Sequence, residues 1–281
     1  MSPLSPRFFT TSLLPILERL VLKGGRWRKT DLRVRVGYFH HETTGHSLID
    51  TGYFNAGTLQ GLKKLAFLEI YRALLRPSTL ANDRLSIGLA RFGVTTKQIQ
   101  TILITHFHAD HIGRLHDFPD AKIMCSRKAW TIYRSNSRIK NALSGVFDVL
   151  VPDDIDKRLA FFEDHPVATA PGALGNGYDL LEDGSLLAID LPGHAAGHVG
   201  FCFPRLPVPL FYATDSQWLI RAILENRAPG FPASLVGADR EALRSSMRKV
   251  EAFVKDGGEV MLCHDPNGHP YDLDAELEAR S

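Results

Sequence analysis

The segment His106-Phe107-His108-Ala109-Asp110-His111 places three imidazoles and one carboxylate in six positions, directly after the apolar run Ile102-Leu103-Ile104. Neutral His and ionised Asp are the usual nitrogen and oxygen ligands of zinc and related divalent ions. A short apolar run reads as a buried strand, and alternate side chains of an extended segment share a face. His106 and His108 can therefore grip one ion together. Asp110 and His111 lie just past them, where the chain must turn, and can face a second ion. The competing reading is a surface His cluster; against it stands the recurrence of similar strand ends downstream.

Three further apolar runs close in the same way. Leu186-Leu187-Ala188-Ile189 leads into Leu191-Pro192-Gly193-His194-Ala195-Ala196-Gly197-His198, Phe211-Tyr212-Ala213 closes on Thr214-Asp215, and Val260-Met261-Leu262 closes on Cys263-His264-Asp265. A catalytic zinc usually takes three protein ligands and leaves one position open. Seven candidates, His106, His108, Asp110, His111, His194, Asp215 and His264, fit two such ions if one carboxylate bridges them. Strand alternation turns Cys263 away from the metal if His264 points toward it, so Cys263 reads as core packing.

The ordered set H-x-H-x-D-H, Gly-His, Asp, His, each member closing a strand, closely resembles the metallo-β-lactamase superfamily from about Val34 to Pro266. The resemblance implies an α/β fold, the four-layer αββα sandwich, as a single domain over 1–281 with an N-terminal extension at 1–30 and a helical insertion at 59–92. It implies two Zn2+, with His106, His108 and His194 on the first, Asp110, His111 and His264 on the second, and Asp215 bridging; Mn2+, Fe2+ or Co2+ suit the same donors. Asp110 would both ligate and move a proton, as the catalytic carboxylate. His198 would be a helper or a packing residue. Leu48-Ile49-Asp50-Thr51-Gly52 resembles the superfamily's first motif, which implies that Asp50 orients the metal loop by hydrogen bonds from outside the ligand set; a plain turn cap is the alternative.

The implied function is a dinuclear metal-dependent hydrolase, in which a metal-bound hydroxide attacks a lactone or other carboxylic ester. Asp215 is unlike the zinc β-lactamases that use Cys there, and His108 is unlike the flavo-diiron branch. The nearest likeness is the acyl-homoserine lactonase branch, from the Leu48–Gly52 motif, the long stretch between His111 and His194, and His264-Asp265. Two departures stand out. Trp218 occupies a position where those lactonases commonly carry Tyr, and it can donate only through its indole N–H. Ala109 replaces a bulkier residue and should open the pocket. Phe107, Trp218 and Tyr53 are candidate substrate-pocket walls, with core packing the alternative for each. Thioester hydrolysis of the glyoxalase II kind, phosphodiester hydrolysis and non-catalytic metal-dependent ligand binding are the other functions to weigh. No Gly-x-Ser-x-Gly elbow is present.

Lys plus Arg total 33 and Asp plus Glu 31, a balance of +2 that is no nucleic-acid-binding signature. Arg26, Arg28, Lys29, Arg33 and Arg35 read as a solvated hairpin face. Three widely spaced Cys suit a reducing compartment. The apolar stretch Phe8 to Leu17 is too short to span a bilayer and reads as a short docking helix interrupted by Pro15, so the expectation is a cytoplasmic protein without a membrane anchor. Strands are expected at 32–38, 46–50, 101–105 and 259–263. Helices are expected at 59–75, 85–92, part of 124–145, and 239–255, with a short surface helix in the acidic tail. The broad apolar face of 59–75 serves either the core or a homodimer. Residues 152–178 resist assignment and, in this superfamily, would shape the pocket. His40, His41 and His46 read as hairpin residues.

Overall fold

The computed structural model describes residues 4–54, 83–231 and 239–273. The expected helix at 59–75, most of the 59–92 insertion and the expected helix in the acidic tail lie outside the described residues.

Two six-stranded sheets make up the described fold. The first holds β1 (Arg7–Leu17), β2 (Lys29–His41), β3 (Gly45–Ile49), β4 (Thr101–Leu103), β5 (Lys122–Cys125) and β6 (Leu159–Phe161), side by side in that order. The second holds β7 (Val167–Thr169), β8 (Asn176–Asp179), β9 (Leu187–Asp190), β10 (Val199–Phe203), β11 (Leu210–Thr214) and β12 (Glu259–Leu262), again in chain order across the sheet. The helices are α1 (Glu18–Val21), α2 (Arg84–Ala90), α3 (Ala109–Ile112), α4 (Arg127–Ser135), α5 (Arg138–Leu143), α6 (Ile220–Leu224) and α7 (Arg240–Lys255).

Strand alternation builds the layers. Ile49, Leu103 and Met124 from the first sheet meet Phe201, Tyr212 and Met261 from the second in one buried cluster between the sheets. Their strand neighbours face outward. Leu48, Ile102 and Ile123 pack against Leu85 and Leu89 of α2 and Ala129 of α4. Ile189, Phe211 and Leu262 pack against Ile223 of α6 and Val250 and Phe253 of α7. Both faces of each sheet are therefore covered, which is why the central strands are apolar at every position rather than at alternate ones. The result is the expected helix–sheet–sheet–helix sandwich.

Strand direction then places the site. β3, β4 and β5 run parallel, as do β11 and β12, while β9 is related to β11 through two antiparallel pairings. The C-terminal ends of β3 and β4 in one sheet, and of β9, β11 and β12 in the other, lead directly into the segments that carry the candidate ligands.

Two expectations are corrected. Residues 8–17 form β1 and not a docking helix, pairing antiparallel with β2 from Arg7 opposite Tyr38 to Leu17 opposite Lys29. The run alternates: Phe8 enters the core between the sheets and Phe9 the core under α2. Pro15 is tolerated because β1 is an edge strand. Arg35, placed by sequence on a solvated face, is 1% exposed. It shares a face of β2 with Phe39, and that face is roofed by the second sheet. Residues 152–178 supply the short strands β6, β7 and most of β8 at the sheet edges. No helix among the described residues is long and apolar enough to cross a membrane.

Candidate metal centre

Loops leaving one edge of the sandwich bring all seven candidate ligands together. His108 sits at the N-cap of α3, and Asp110 and His111 lie within that single turn, so the motif changes from extended to helical between its second and third ligands. His106 Nε2 and His194 Nε2 lie 3.0 and 3.1 Å from His108 Nδ1. In a second group, His264 Nε2 is 3.1 Å from Asp215 Oδ2 and 3.3 Å from Asp110 Oδ2. His111 Nε2 is 3.5 Å from Asp215 Oδ2 and 3.7 Å from Asp110 Oδ2. Asp215 Oδ2 also lies 3.3 Å from His194 Nε2, so one oxygen reaches both groups. All seven side chains are buried.

Hydrogen bonds from outside aim these groups. Asp50 Oδ2 lies 2.7 Å from His111 Nδ1, and the Asp50 carboxylate accepts both the backbone N–H and the hydroxyl of Thr105 at 2.8 Å. Thr105 Oγ1 is also 3.0 Å from His106 Nδ1. His264 Nδ1 donates to the carbonyl of Arg33 at 2.7 Å. Such partners fix which ring nitrogen faces inward. His198 does not join the cluster; its Nδ1 donates to the carbonyl of Leu191 at 2.7 Å and its Nε2 meets the Thr214 hydroxyl.

The backbone is bent to serve the site. Asp50 and Thr214 hold left-handed conformations at φ 61° and 47°, each costing about 1–3 kcal/mol for a residue with a Cβ. The register between β11 and β12 shifts between Tyr212 and Thr214, a bulge of the kind that re-aims the following side chain. Gly193, at φ 121°, has no substitute: a Cβ there would fall 2.1 Å from the backbone nitrogen of Leu243 on α7. The same loop is tied to α7 by Asp239 N–H to Gly193 O at 3.0 Å and by Ser246 Oγ to Pro192 O at 2.7 Å.

The donor set fits a pair of cations. Burial, then the neighbouring imidazoles, push His106 well below the usual His range; burial does the same to His194 against the opposing pull of Asp215, leaving lone pairs available to a metal. Burial also pushes His111 and His264 down, but Asp215 and Asp110, with Asp50 beside His111, together outweigh it and raise both well above the usual range. His111 Nε2 and Asp215 Oδ1 are buried without a hydrogen-bond partner among the described residues. Three inward ring nitrogens near 3 Å, as in the His106, His108 and His194 group, can share protons only pairwise, whereas a cation accepts all three lone pairs.

Cys263 packs in the core between the sheets, as expected, but does not point away. Its sulfur lies within 4.8 Å of the ligand atoms of His111, Asp215 and His264. The site sits on the rim of the space between the sheets, so a side chain directed into that space lies beneath it. Sequence reasoning missed Thr105, Thr214 and Arg35. Thr105 had a visible signal, a polar residue at the last strand-like position before the motif; Arg35 had none.

Comparisons with known proteins place the family and the fold. A family model described as the metallo-beta-lactamase superfamily matches residues 30–254. The chain belongs to the metallo-beta-lactamase superfamily. Among curated relatives, the N-acyl homoserine lactonase AttM of Azorhizobium caulinodans is 26% identical over 183 residues, 63% of this chain and 62% of that protein. AttM of Agrobacterium fabrum is 29% identical over 182 residues, 62% of this chain and 61% of that protein. The match thus spans about three fifths of the relatives' length. Among solved structures, a quorum-quenching N-acyl homoserine lactone lactonase superposes with a TM-score of 0.68 at 16% identity, covering 99% of this chain and 96% of that one. The dizinc quorum-quenching lactonase AidC superposes at 0.64 and 15%, covering 94% and 88%.

In this superfamily member a cavity of about 1200 Å³ reaches the centre, with His194 and Asp215 in its wall. Trp218 lines it as well. Phe107 and Tyr53 do not: Phe107 stacks on Tyr133 at 5.5 Å and Tyr53 on Phe54 at 4.4 Å, both within the core under α2 and α4. Nor do residues 152–178 line it. His41 lies 3.5 Å from Asp183 and His46 2.9 Å from the Tyr38 hydroxyl, apart from the cluster.

Proposed function

We propose that this chain is a dinuclear metal-dependent hydrolase of lactones or other carboxylic esters. The observation that carries the reading is Asp215 Oδ2, within 3.5 Å of His194, His111 and His264 at once, the position of a bridging ligand between two three-ligand groups. His106, His108 and His194 would hold one ion, and Asp110, His111 and His264 the other; zinc is the reading favoured by the donors and by the dizinc relative. Two bound divalent ions would supply Lewis acidity and a hydroxide nucleophile near neutral pH.

The remaining chemistry falls to the chain's own groups. Hydrolysis breaks the acyl carbon–oxygen bond, adds water across it and releases a carboxylic acid and an alcohol, joined in one molecule if the substrate is a lactone. Asp110 is the group assigned to take up and return the proton, since it touches His264 and is otherwise free of backbone donors among the bonds at the site. Trp218, beside Asp215 in the cavity wall, is the candidate donor to the substrate carbonyl. Asp50 holds His111 in the tautomer that turns Nε2 inward.

The lactonase relatives support a lactone as the first substrate to try. A phosphodiester is the second reading, because the cavity wall is rich in arginine although the whole chain is nearly neutral. The test is to count metals per purified chain and to assay lactones, thioesters, carboxylic esters, β-lactams and bis(4-nitrophenyl) phosphate in parallel. Two ions per chain and turnover of lactones or esters are expected. Metal-replete protein that cleaves none of them would leave the ligand-binding reading in place, and turnover of the phosphate alone would replace the carbonyl substrate.

A further inference from the structure

The wall of the cavity above the metal centre is cationic to a degree the overall charge conceals. Arg240, Arg244 and Arg248 follow one another at four-residue spacing on α7, so they share a helix face. All three line the cavity, together with Arg19 of α1 and Lys23 just after it. Among the described residues, none of these five side chains is within ion-pair distance of a carboxylate. The contrast with neighbouring cations is informative. Arg227, also in the wall, is engaged by Glu225 at 2.7 Å and by the Lys23 carbonyl. Farther along α7, away from the cavity, Lys255 pairs with Glu251 at 2.7 Å. Among the described residues, the one carboxylate in the cavity wall is Asp215, which is occupied with the histidines. Residues 232–238, between α6 and α7, contain no charged side chain.

A solvated helix face is the ordinary explanation of exposed arginines, yet it does not account for their arrangement. The Arg240–Arg248 stripe is tied to the ligand loop itself through Gly193 and Pro192, so its distance from the centre is set by the same contacts that place His194. The Arg19 guanidinium lies over the Trp27 ring, 5.1 Å from its centroid, a cation–π contact. Like charges gathered around a concave wall repel one another, and an anion relieves that repulsion.

We propose that the substrate carries an anionic group, a carboxylate or a phosphate, remote from the scissile carbonyl, and that Arg240, Arg244 and Arg248 bind it with help from Arg19 and Lys23. This rests on the hydrolase reading above and narrows it: a neutral acyl lactone leaves the arginines without a partner, whereas an ester or lactone whose acyl chain ends in a carboxylate supplies one in the same cavity. The planar guanidinium favours bidentate recognition of either anion.

The experiment uses the zinc-loaded full chain and two esters of equal length, mono(4-nitrophenyl) glutarate and 4-nitrophenyl pentanoate. The glutarate should win in kcat/KM by about tenfold or more, through KM, the size of one charge-assisted hydrogen bond at a partly exposed site. Raising NaCl from about 0.05 to about 0.5 M should shrink that preference, since the Debye length falls below the width of the cavity. Arg244→Gln should cut the glutarate-to-pentanoate ratio severalfold, and the Arg240→Gln/Arg244→Gln/Arg248→Gln variant should abolish it. A ratio near one in the parent chain, or one the triple variant leaves unchanged, overturns the proposal. If neither ester is cleaved, it is the open-chain ester branch of the hydrolase reading that has failed. The charge proposal is then decided by calorimetric titration with glutarate and, separately, inorganic phosphate. Binding weakened about tenfold in the triple variant supports it, and binding that is absent or unaltered overturns it.

Discussion

Arg35 offers the sharpest test of how this fold holds its metal loop. Its side chain is 1% exposed, and Asp272, which it meets at 2.8 and 2.9 Å, is 0% exposed. The guanidinium also donates to the carbonyls of Leu262, Asp265 and Asn267 at 3.0, 2.7 and 2.7 Å. These acceptors flank His264 on both sides, so one buried cation fastens the segment that delivers a ligand. Replacing Arg35 with Met keeps much of the volume but takes the close counter-charge from buried Asp272, leaving it Arg33 at 3.9 Å; breaking a buried pair costs up to about 3–5 kcal/mol. For a chain of this size that corresponds to roughly 10 °C in Tm. The assay is urea and thermal unfolding of the metal-free protein, alongside zinc content after dialysis. A second variant, Arg35→Met with Asp272→Leu, separates two roles. It removes the orphaned charge but still deprives the carbonyls of Leu262, Cys263, Asp265 and Asn267 of their donor, so it should recover only part of the stability and little of the zinc affinity. A loss below about 1 kcal/mol in Arg35→Met, the scale of an exposed pair, would refute the reasoning, as would full recovery of both properties in the double variant.

Three other outcomes follow from the same structure. Asp215→Ala should lower metal content at both positions and remove activity together, because its Oδ2 reaches both ligand groups; metal analysis beside a lactone assay checks this, and full retained activity contradicts the ligand assignment. Asp50→Asn should weaken metal binding by about 10–100-fold, the usual effect of losing a carboxylate behind a ligating His, measurable by competition with a chelator. Burial pushes the Asp83 carboxyl up, but the hydrogen bond and charge of Arg114, together with the hydrogen bonds from Ser86, outweigh it and hold it down at about 2. Its pairing therefore stabilises the fold above the ordinary carboxylate pKa of about 4 and is lost as pH falls through about 2. The stability gap between the parent chain and Asp83→Asn should be present at neutral pH and narrow below pH ~4, read from urea midpoints; with the side chain 40% exposed, the gap is small.

The cluster of candidate ligands was legible because metal chemistry needs particular side chains, and the spacing of His106, His108, Asp110 and His111 is imposed locally by a strand that turns into a single helical turn. The strands around Val34 and Leu48 and the helix from Arg240 to Lys255 were legible for a similar reason, since each repeats its apolar period over enough residues to be read without knowing its neighbours. What the sequence by itself determined, then, was the inventory of donors and the direction in which the elements bearing them run.

Tertiary structure decided the rest, through contacts between residues far apart in the chain. Alternation along β2 tells that Arg35 and Phe39 share a face, but only the second sheet makes that face an interior, turning a charge that reads as solvated into a buried fastening for Asp272. Phe8 to Leu17 has an apolar content that suits helix or strand alike, and pairing with β2 settles it. Phe107 and Tyr53 belong to the core because α2 and α4 cover them, while the arginines of α7 meet Arg19 and Lys23, more than 200 positions away, only when the loop at Gly193 draws the helix against the metal centre. A cavity has no sequence of its own; it is the space left between elements that fold for other reasons.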